Sequence, residues 1–301
     1  MHNVDRSWAF GTSGLENCII HCLGRRFWRK MAGNIKAVTL DLWQTILLER
    51  DGNSARRNYI RCENLSRAFA EIGFQVSTSE LDSVLKELSS WLSSIWKLDK
   101  DVTHFDQVKF IAEKVTGGTF SLEEKQLEKL SLAYASPIFE LPPFLDPATH
   151  RVLRWLKGNG KGTGLISNVG MTPGFALRKF LEKEEISHYF DVMVFSDEAG
   201  VRKPNPSIFK LAAEMLNSSP NEIVHIGDDL RSDIWGAKNA GYKAIHLSTE
   251  IGIDKMAEKD PSSLVWISRQ LSKNIRQDEV YADGTIKSLE QIIESIEKLD
   301  S

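Results

Sequence analysis

Apolar positions along this chain recur with two different periods, and the change of period divides it. From Lys36 the run KAVTLDLWQTIL places Ala37, Val38, Thr39 and Leu40 in an unbroken short strand of the kind buried on both faces. The strand runs into Asp41, and a polar Gln44-Thr45 step then lets the chain leave the sheet. After Leu48 the polar stretch ERDGNSARR opens four segments of helical period, at about 54–73, 78–98, 104–116 and 121–136. In the first, Tyr59, Leu65, Ala68, Phe69 and Ile72 fall mostly three or four apart. The second is opened by Thr78 and Glu80 and carries Leu81, Val84, Leu85, Leu88, Trp91, Leu92, Ile95 and Trp96 as one stripe. Such a stripe predicts packing inside a helical bundle, with ligand stacking by Trp91 or Trp96 as the rarer use of aromatics at that spacing. Arg56, Arg57 and Arg61 are expected on a solvated face first and against a substrate anion second.

Pro137, Pro142, Pro143 and Pro147 break the helical period and mark a linker. Beyond them helix and strand alternate. A helix near 147–158 precedes a strand in GTGLISN (162–168), one near 173–183 precedes DVMVFSD (191–197), one near 206–217 precedes EIVHIGDD (222–229), and one near 231–240 precedes KAIHLS (243–248). This alternation builds a doubly wound parallel sheet with right-handed crossovers. The expected fold is therefore α/β: a Rossmann-like core made of 34–48 and 140–301, interrupted after its first strand by an all-helical insert of 49–139. Past Thr249, LVWIS (264–268) reads as an edge strand and IKSLEQIIESIEKL (286–299) as an amphipathic helix docked on the sheet. Residues 1–33 are expected to form a disordered leader.

With 301 residues, 42% apolar and 26% charged, the chain is long enough for such a core and a second domain. A net charge of −3 with dispersed Lys and Arg recommends neither nucleic acid nor an anionic membrane as partner. A small acidic or phosphorylated ligand needs only a local basic site. Cys18, Cys22 and Cys62 make no disulfide framework, and no apolar run approaches the length of a membrane span. The short apolar patch NCIIHCL is followed by Arg25, Arg26, Arg29 and Lys30, the reverse of a secretory signal, so the expected compartment is a reducing cytoplasm. Cys18, His21 and Cys22 as soft metal ligands is a weak rival reading, because no second ligand pair lies nearby.

The strand tips carry the candidate chemistry: Asp41 and Thr45 after the first, Ser167 and Asn168 after the second, Lys203 beyond the third, and Asp228, Asp229 and Asp233 after the fourth. Ligands of open α/β sheets bind at such tips. Singly these residues are ordinary: Ser167 suits a turn, Lys203 in VRKPNP a solvated loop, and the acidic run of GDDLRSDIWGAKNAG a helix N-cap. Together they offer a carboxylate nucleophile, a hydroxyl and amides for a phosphate, a lysine for its charge, and carboxylates for a hard cation, a set that favours Mg²⁺.

These motifs and their order resemble the haloacid dehalogenase-like (HAD) superfamily, most of whose members are phosphatases. The resemblance spans about Lys36 to Ser248 and rests on Ser167-Asn168, Arg202-Lys203-Pro204 and Gly227-Asp228 through Asp233, a highly specific set. The helical insert sits where C1-type members of that superfamily carry a cap. The resemblance implies that Asp41 attacks phosphorus and becomes an aspartyl phosphate, while Ser167 and the amide of Asn168 hold the phosphoryl oxygens. It further implies that Lys203 offsets charge on Asp41 and the phosphate, and that Asp41, the main-chain carbonyl of Trp43, Asp228 and Asp233 hold Mg²⁺. The resemblance implies as well that Thr45 orients the loop and that Asp229 supports the site.

The departure is Trp43. Phosphatases of the superfamily carry a second aspartate there (D-x-D-x-T) as general acid and base, and indole can act as neither. The superfamily's dehalogenases carry an aromatic residue at this place, but they use no metal and lack the Gly227-Asp228-Asp229 motif present here. The favoured expectation is a Mg²⁺-dependent phosphatase of a small phosphorylated metabolite. Its alternatives are a 2-haloacid dehalogenase-like hydrolase and a catalytically silent relative that binds a ligand or protein through the insert.

Overall fold

In the computed structural model, residues 34–119, 121–249, 253–273 and 281–300 are described. The expected leader, with Cys18, His21 and Cys22, lies outside them. The strands in chain order are β1 (Ala37–Leu40), β2 (Leu47–Leu48), β3 (Phe144–Leu145), β4 (Gly162–Ser167), β5 (Val192–Phe195), β6 (Ile223–Gly227), β7 (Lys243–Leu247) and β8 (Gly284–Ile286). Six of them form one sheet in the order β5-β4-β1-β6-β7-β8, with every neighbouring pair parallel. This is a Rossmann-like α/β sheet, and β1 is at its centre, with Leu40 opposite Leu165 on one side and Ile226 on the other.

Alternate residues of these strands feed two apolar layers, as the pleat requires. Val38, Leu40, Leu165 and Ile226 pack with Val152, Leu156, Phe180, Ile292 and Ile296 on one face. Ala37, Ile166 and Val194 pack with Ile208, Phe209, Ala212 and Ala237 on the other. Thr39 is a fully buried polar residue of β1, and its hydroxyl is satisfied by His225 Nδ1 at 2.9 Å.

Between the antiparallel pair β2 and β3 lie four long helices, α1 (Asn53–Glu71), α2 (Thr78–Trp96), α3 (His104–Thr116) and α4 (Glu124–Ala135). They share a separate core that includes Leu65, Phe69, Leu85, Leu88, Leu92, Ile111 and Leu130. The start of α2 is a reciprocal cap one residue before Thr78: Ser77 Oγ accepts the Glu80 N–H, and the Glu80 carboxylate accepts the Ser77 N–H. Trp91 stacks on Phe110 with ring centroids 5.1 Å apart, and Trp96 is buried.

Several expectations are corrected here. Arg57 and Arg61 are buried, whereas Arg56 is exposed. The reason is spacing: Arg57, Arg61, Leu65 and Phe69 are four residues apart, so both arginines extend the apolar stripe of α1. Tyr59 falls off that stripe and is 61% exposed. LVWIS is not an edge strand but opens a helix, Leu264–Ser272, capped by Ser263 Oγ accepting from Val265 N–H at 3.1 Å. Its Val, Trp and Ile suggest a strand, but Leu264, Ile267 and Leu271 keep helical spacing, and tertiary packing decides. The sheet edge is β8, so the helix expected from residue 286 begins only at Ile292.

The insert is stitched to the core through one buried carboxylate. Asp101, between α2 and α3, accepts from Trp96 Nε1 at 3.1 Å, Ser196 Oγ at 2.5 Å and Arg202 Nη1 at 3.1 Å. The Arg202 guanidinium lies 3.7 Å from the Trp96 ring centroid, and Arg202 is 4% exposed. Replacing Asp101 by Ala would strand a buried guanidinium, so the unfolding free energy measured in urea should fall by about 3–5 kcal/mol. A loss below about 1 kcal/mol would mean that the stack on Trp96 holds Arg202 without its counter-ion.

Candidate active site

Each candidate residue is delivered by the tip of a strand. The Asp41 N–H donates to Ile226 O at 2.8 Å, which aligns the end of β1 with that of β6. The chain then doubles back: Gln44 takes the left-handed conformation (φ 61°), and the Leu47 N–H returns to Leu42 O at 2.8 Å. That turn brings the Thr45 hydroxyl to Asp41 Oδ2 at 3.3 Å. The second and third tips hold each other, because the Asn168 side-chain amide donates to Lys203 O and accepts from Lys203 N–H, both at 2.8 Å.

Lys203 is 2% exposed and all three of its ammonium donors are used: Asp41 Oδ1 at 2.5 Å, Asp233 Oδ1 at 2.6 Å and Ile166 O at 2.7 Å. Burial opposes its charge, but the two carboxylates outweigh that and raise its pKa above the ordinary lysine value. Asp233 also meets His225 Nε2 at 3.2 Å and accepts the Asp229 N–H at 3.0 Å. Burial pushes Asp233 up, yet Lys203 and His225 hold it well below the usual carboxylate range. Asp41 is pushed up to about 6 by burial, against the pull of Lys203. Asp228 is pushed up to about 8 by burial, partly offset by Arg269.

Among the described residues, Asp41, Asp228 and Asp233 each offer a ligand oxygen, and these atoms lie within 4.8 Å of one another. Asp41, Asp228, Asp229 and Asp233 are paired with Lys203, with Arg269 and with His225, whose basicity burial lowers. Four carboxylates against two permanent cations leave an excess of negative charge, and the donors are all oxygen. This chain's residues therefore fit a hard divalent cation.

Asp41, Trp43, Asn168, Lys203, Asp228, Asp229 and Asp233 line one cavity of about 240 Å³. Ser167 and Thr45 are wholly buried behind its wall; the Ser167 hydroxyl donates to Asn168 O at 3.3 Å. Asp229 caps the next helical turn, its Oδ1 accepting from Arg231 N–H at 3.0 Å and Ser232 N–H at 2.7 Å. Trp43 borders the cavity, with the Arg57 guanidinium 5.7 Å from its ring centroid and Arg57 paired to Glu49.

Sequence reasoning missed two participants, His225 and Arg269, and read Arg57 as solvated first and as a contact for a substrate anion second. His225 carried a signal, since a histidine inside the apolar strand IVHIG needs a partner. The burial of Arg57 could have been found from the four-residue steps Arg57, Arg61, Leu65 along α1. Arg269 had none: it lies one residue beyond LVWIS, and its contacts exist only once that segment is a helix.

A cluster of carboxylates and a buried lysine gathered at the C-terminal tips of a Rossmann-like sheet define an α/β enzyme of hydrolase type. The chain belongs to the haloacid dehalogenase-like hydrolases, whose family model matches residues 35–241. A glyceraldehyde 3-phosphate phosphatase of Pyrococcus furiosus is 27% identical over 88% of this chain and 94% of that protein. The fold is also that of a 2-haloacid dehalogenase from Pseudomonas syringae pv. Tomato DC3000 (TM-score 0.60, 16% identity, 88% of this chain and 99% of that one). A HAD phosphatase from Thermococcus onnurineus gives a TM-score of 0.52 at 22% identity, over 89% of this chain and 100% of that one.

Gly227 is required by geometry. A Cβ there would lie 2.3 Å from Asp233 Cγ and Oδ2, so Gly227→Ala must displace the carboxylate that Lys203 and His225 hold. The variant should melt lower and bind divalent cations more weakly, read by calorimetry. Unchanged melting and binding would show that the tip relaxes around an added methyl group.

Proposed function

We propose that this hydrolase is a Mg²⁺-dependent phosphatase of a small phosphorylated metabolite, working in the cytoplasm without nucleic-acid or membrane partners. The observation that carries the reading is the trio Asp41, Asp228 and Asp233 with ligand oxygens within 4.8 Å of one another, beside a lysine bonded to two of them. The phosphatase relative matched over most of both chains supports it. Among the described residues, no helix is long and apolar enough to cross a membrane.

In this reading Asp41 Oδ attacks phosphorus in line and becomes an aspartyl phosphate, which water then hydrolyses. Lys203 offsets negative charge on Asp41 and on the phosphoryl oxygens. Ser167 and the Asn168 amide hold those oxygens, which requires the Ser167 hydroxyl to turn from Asn168 O toward the ligand. Asp41, Asp228, the main-chain carbonyl of Trp43 and Asp233, directly or through water, would hold Mg²⁺, with Asp229 and Thr45 in support. When bound, Mg²⁺ supplies the charge neutralisation that lets two anions meet. The helices of residues 49–139 serve as the C1-type cap, closing the cleft and selecting the substrate.

Trp43 shapes the expected rates. With no acid at that position the leaving group must depart as a stable anion, so aryl phosphates, acyl phosphates and anhydrides should be cleaved faster than alkyl phosphates. Steady-state assays on one aryl and one alkyl phosphate, with and without Mg²⁺, test the reading; halide release from a chloroacid instead would establish the dehalogenase alternative. Trp43→Asp should raise alkyl phosphate turnover by up to ~10²–10⁴, the usual worth of a general acid. Equal wild-type rates on both esters would mean that another group supplies the proton.

A further inference from the structure

The segment between β7 and β8 reaches both the insert and the catalytic carboxylates. On the Leu264–Ser272 helix, Ile267 is buried in the core of α1–α4, with Leu264, Trp266 and Leu271 packed against that core. The opposite side, through Val265, Ser268 and Arg269, lines the cavity. Upstream, Asp254 accepts the N–H groups of Gly52 and Ser54 at 2.9 Å each, holding the entry to α1.

Arg269 is the polar end of this bridge. Its Nη2 donates to Asp228 Oδ2 at 2.8 Å and to Gln44 Oε1, its Nη1 to Asp229 Oδ2 at 3.3 Å, and its Nε to Glu258 Oε1 at 3.2 Å. One guanidinium thus joins the cation-site carboxylate Asp228 to the turn that carries Trp43.

We propose that Arg269 is a positioning residue that competes with the divalent cation for the Asp228 carboxylate. The proposal rests on the Mg²⁺ reading given above. A cation shared by Asp41, Asp228 and Asp233 places two further positive charges beside a guanidinium already bonded to Asp228, within a cleft of low dielectric. Both cannot hold Asp228 at full strength. Binding of the cation and docking of the Leu264–Ser272 helix are therefore coupled, and the coupling is reciprocal. The helix anchors in the core of α1–α4, so loading the site loosens the contact that draws the insert toward the carboxylates.

The test is a calorimetric Mg²⁺ titration of the full chain in alkaline buffer, where protons compete least for the carboxylates. Amide hydrogen exchange over Leu264–Ser272 is followed with and without Mg²⁺. Arg269→Gln should bind Mg²⁺ ~10-fold more tightly, the scale of one charge-assisted hydrogen bond relinquished. Ile267→Ser, which loosens the helix without touching a carboxylate, should also tighten binding. In the wild type Mg²⁺ should speed exchange across the helix, a readout that needs no variant to fold. A merely structural Arg269 would lower the melting temperature of Arg269→Gln and leave Mg²⁺ affinity unchanged or weaker, which overturns the proposal while sparing the phosphatase reading. Absence of Mg²⁺ binding in every form would overturn both.

Discussion

The buried ammonium of Lys203 is the contact on which the site depends. It draws together carboxylates from two different strand tips, Asp41 after β1 and Asp233 beyond β6, and closes onto the carbonyl of Ile166 at the end of β4. Removing one partner from a buried pair of this kind costs about 3–5 kcal/mol, because the other charge is left without water or counter-ion. The arrangement constrains its surroundings in turn. Asn168 must hold the main chain of Lys203, Gly227 must lack a side chain, and His225 must sit inside the sheet to complete Asp233. Much of the polar architecture around the cleft can be derived from keeping that ammonium and its two carboxylates dry and paired.

The same logic explains why the insert lies where it does. Among the described residues, Arg202 to Asp101 and Arg231 to Asp99 are charged contacts between the core and the helical layer, and Arg269 reaches the aspartates after β6 from the Leu264–Ser272 helix that packs on that layer. The Arg202 and Arg269 contacts differ in burial. Arg202 and Asp101 are 5% and 1% exposed at their side chains, whereas Arg269 is 26% exposed, so the first reads as a permanent joint and the second as the one able to exchange partners.

How much of this could be read from residues alone varies with the range of the interaction. β1 was legible because a doubly buried parallel strand is a continuous apolar run, and the alternation after Pro147 placed β4, β5, β6 and β7. The residues at the tips were legible as motifs, since Lys203, Asp228 and Asp233 lie at strand ends wherever the strands are found. What failed was local ambiguity settled by distant partners. Nothing within LVWIS says that Ile267 will meet the core of α1–α4, and without that contact its β-branched residues favour a strand. Ser167 is a subtler case. Its position at the tip of β4 was clear, but the direction of its hydroxyl, toward the Asn168 carbonyl behind the cavity wall, depends on packing that no motif encodes.

Trp43 sets an indole, not a carboxylate, among the charged side chains of the cavity. An aspartate at this position would add another negative side chain to a cavity already lined by Asp41, Glu49, Asp228, Asp229, Asp233 and Asp254. The indole instead packs partly against the sheet core and accepts the face of Arg57, whose charge is answered by the buried Glu49. One oxygen of Glu49 accepts from Arg57; the other, Oε2, has no hydrogen-bond partner among the described residues, and burial raises the acid's pKa. The wall of the cavity near Trp43 is thus a guanidinium over an aromatic ring. Arginine stays protonated at any working pH, so it can stabilise an oxyanion by charge and hydrogen bonding but cannot hand it a proton. Under the phosphatase reading proposed above, such a wall favours esters whose leaving group tolerates a full negative charge, and the guanidinium contributes to that preference as much as the absence of an acid at Trp43.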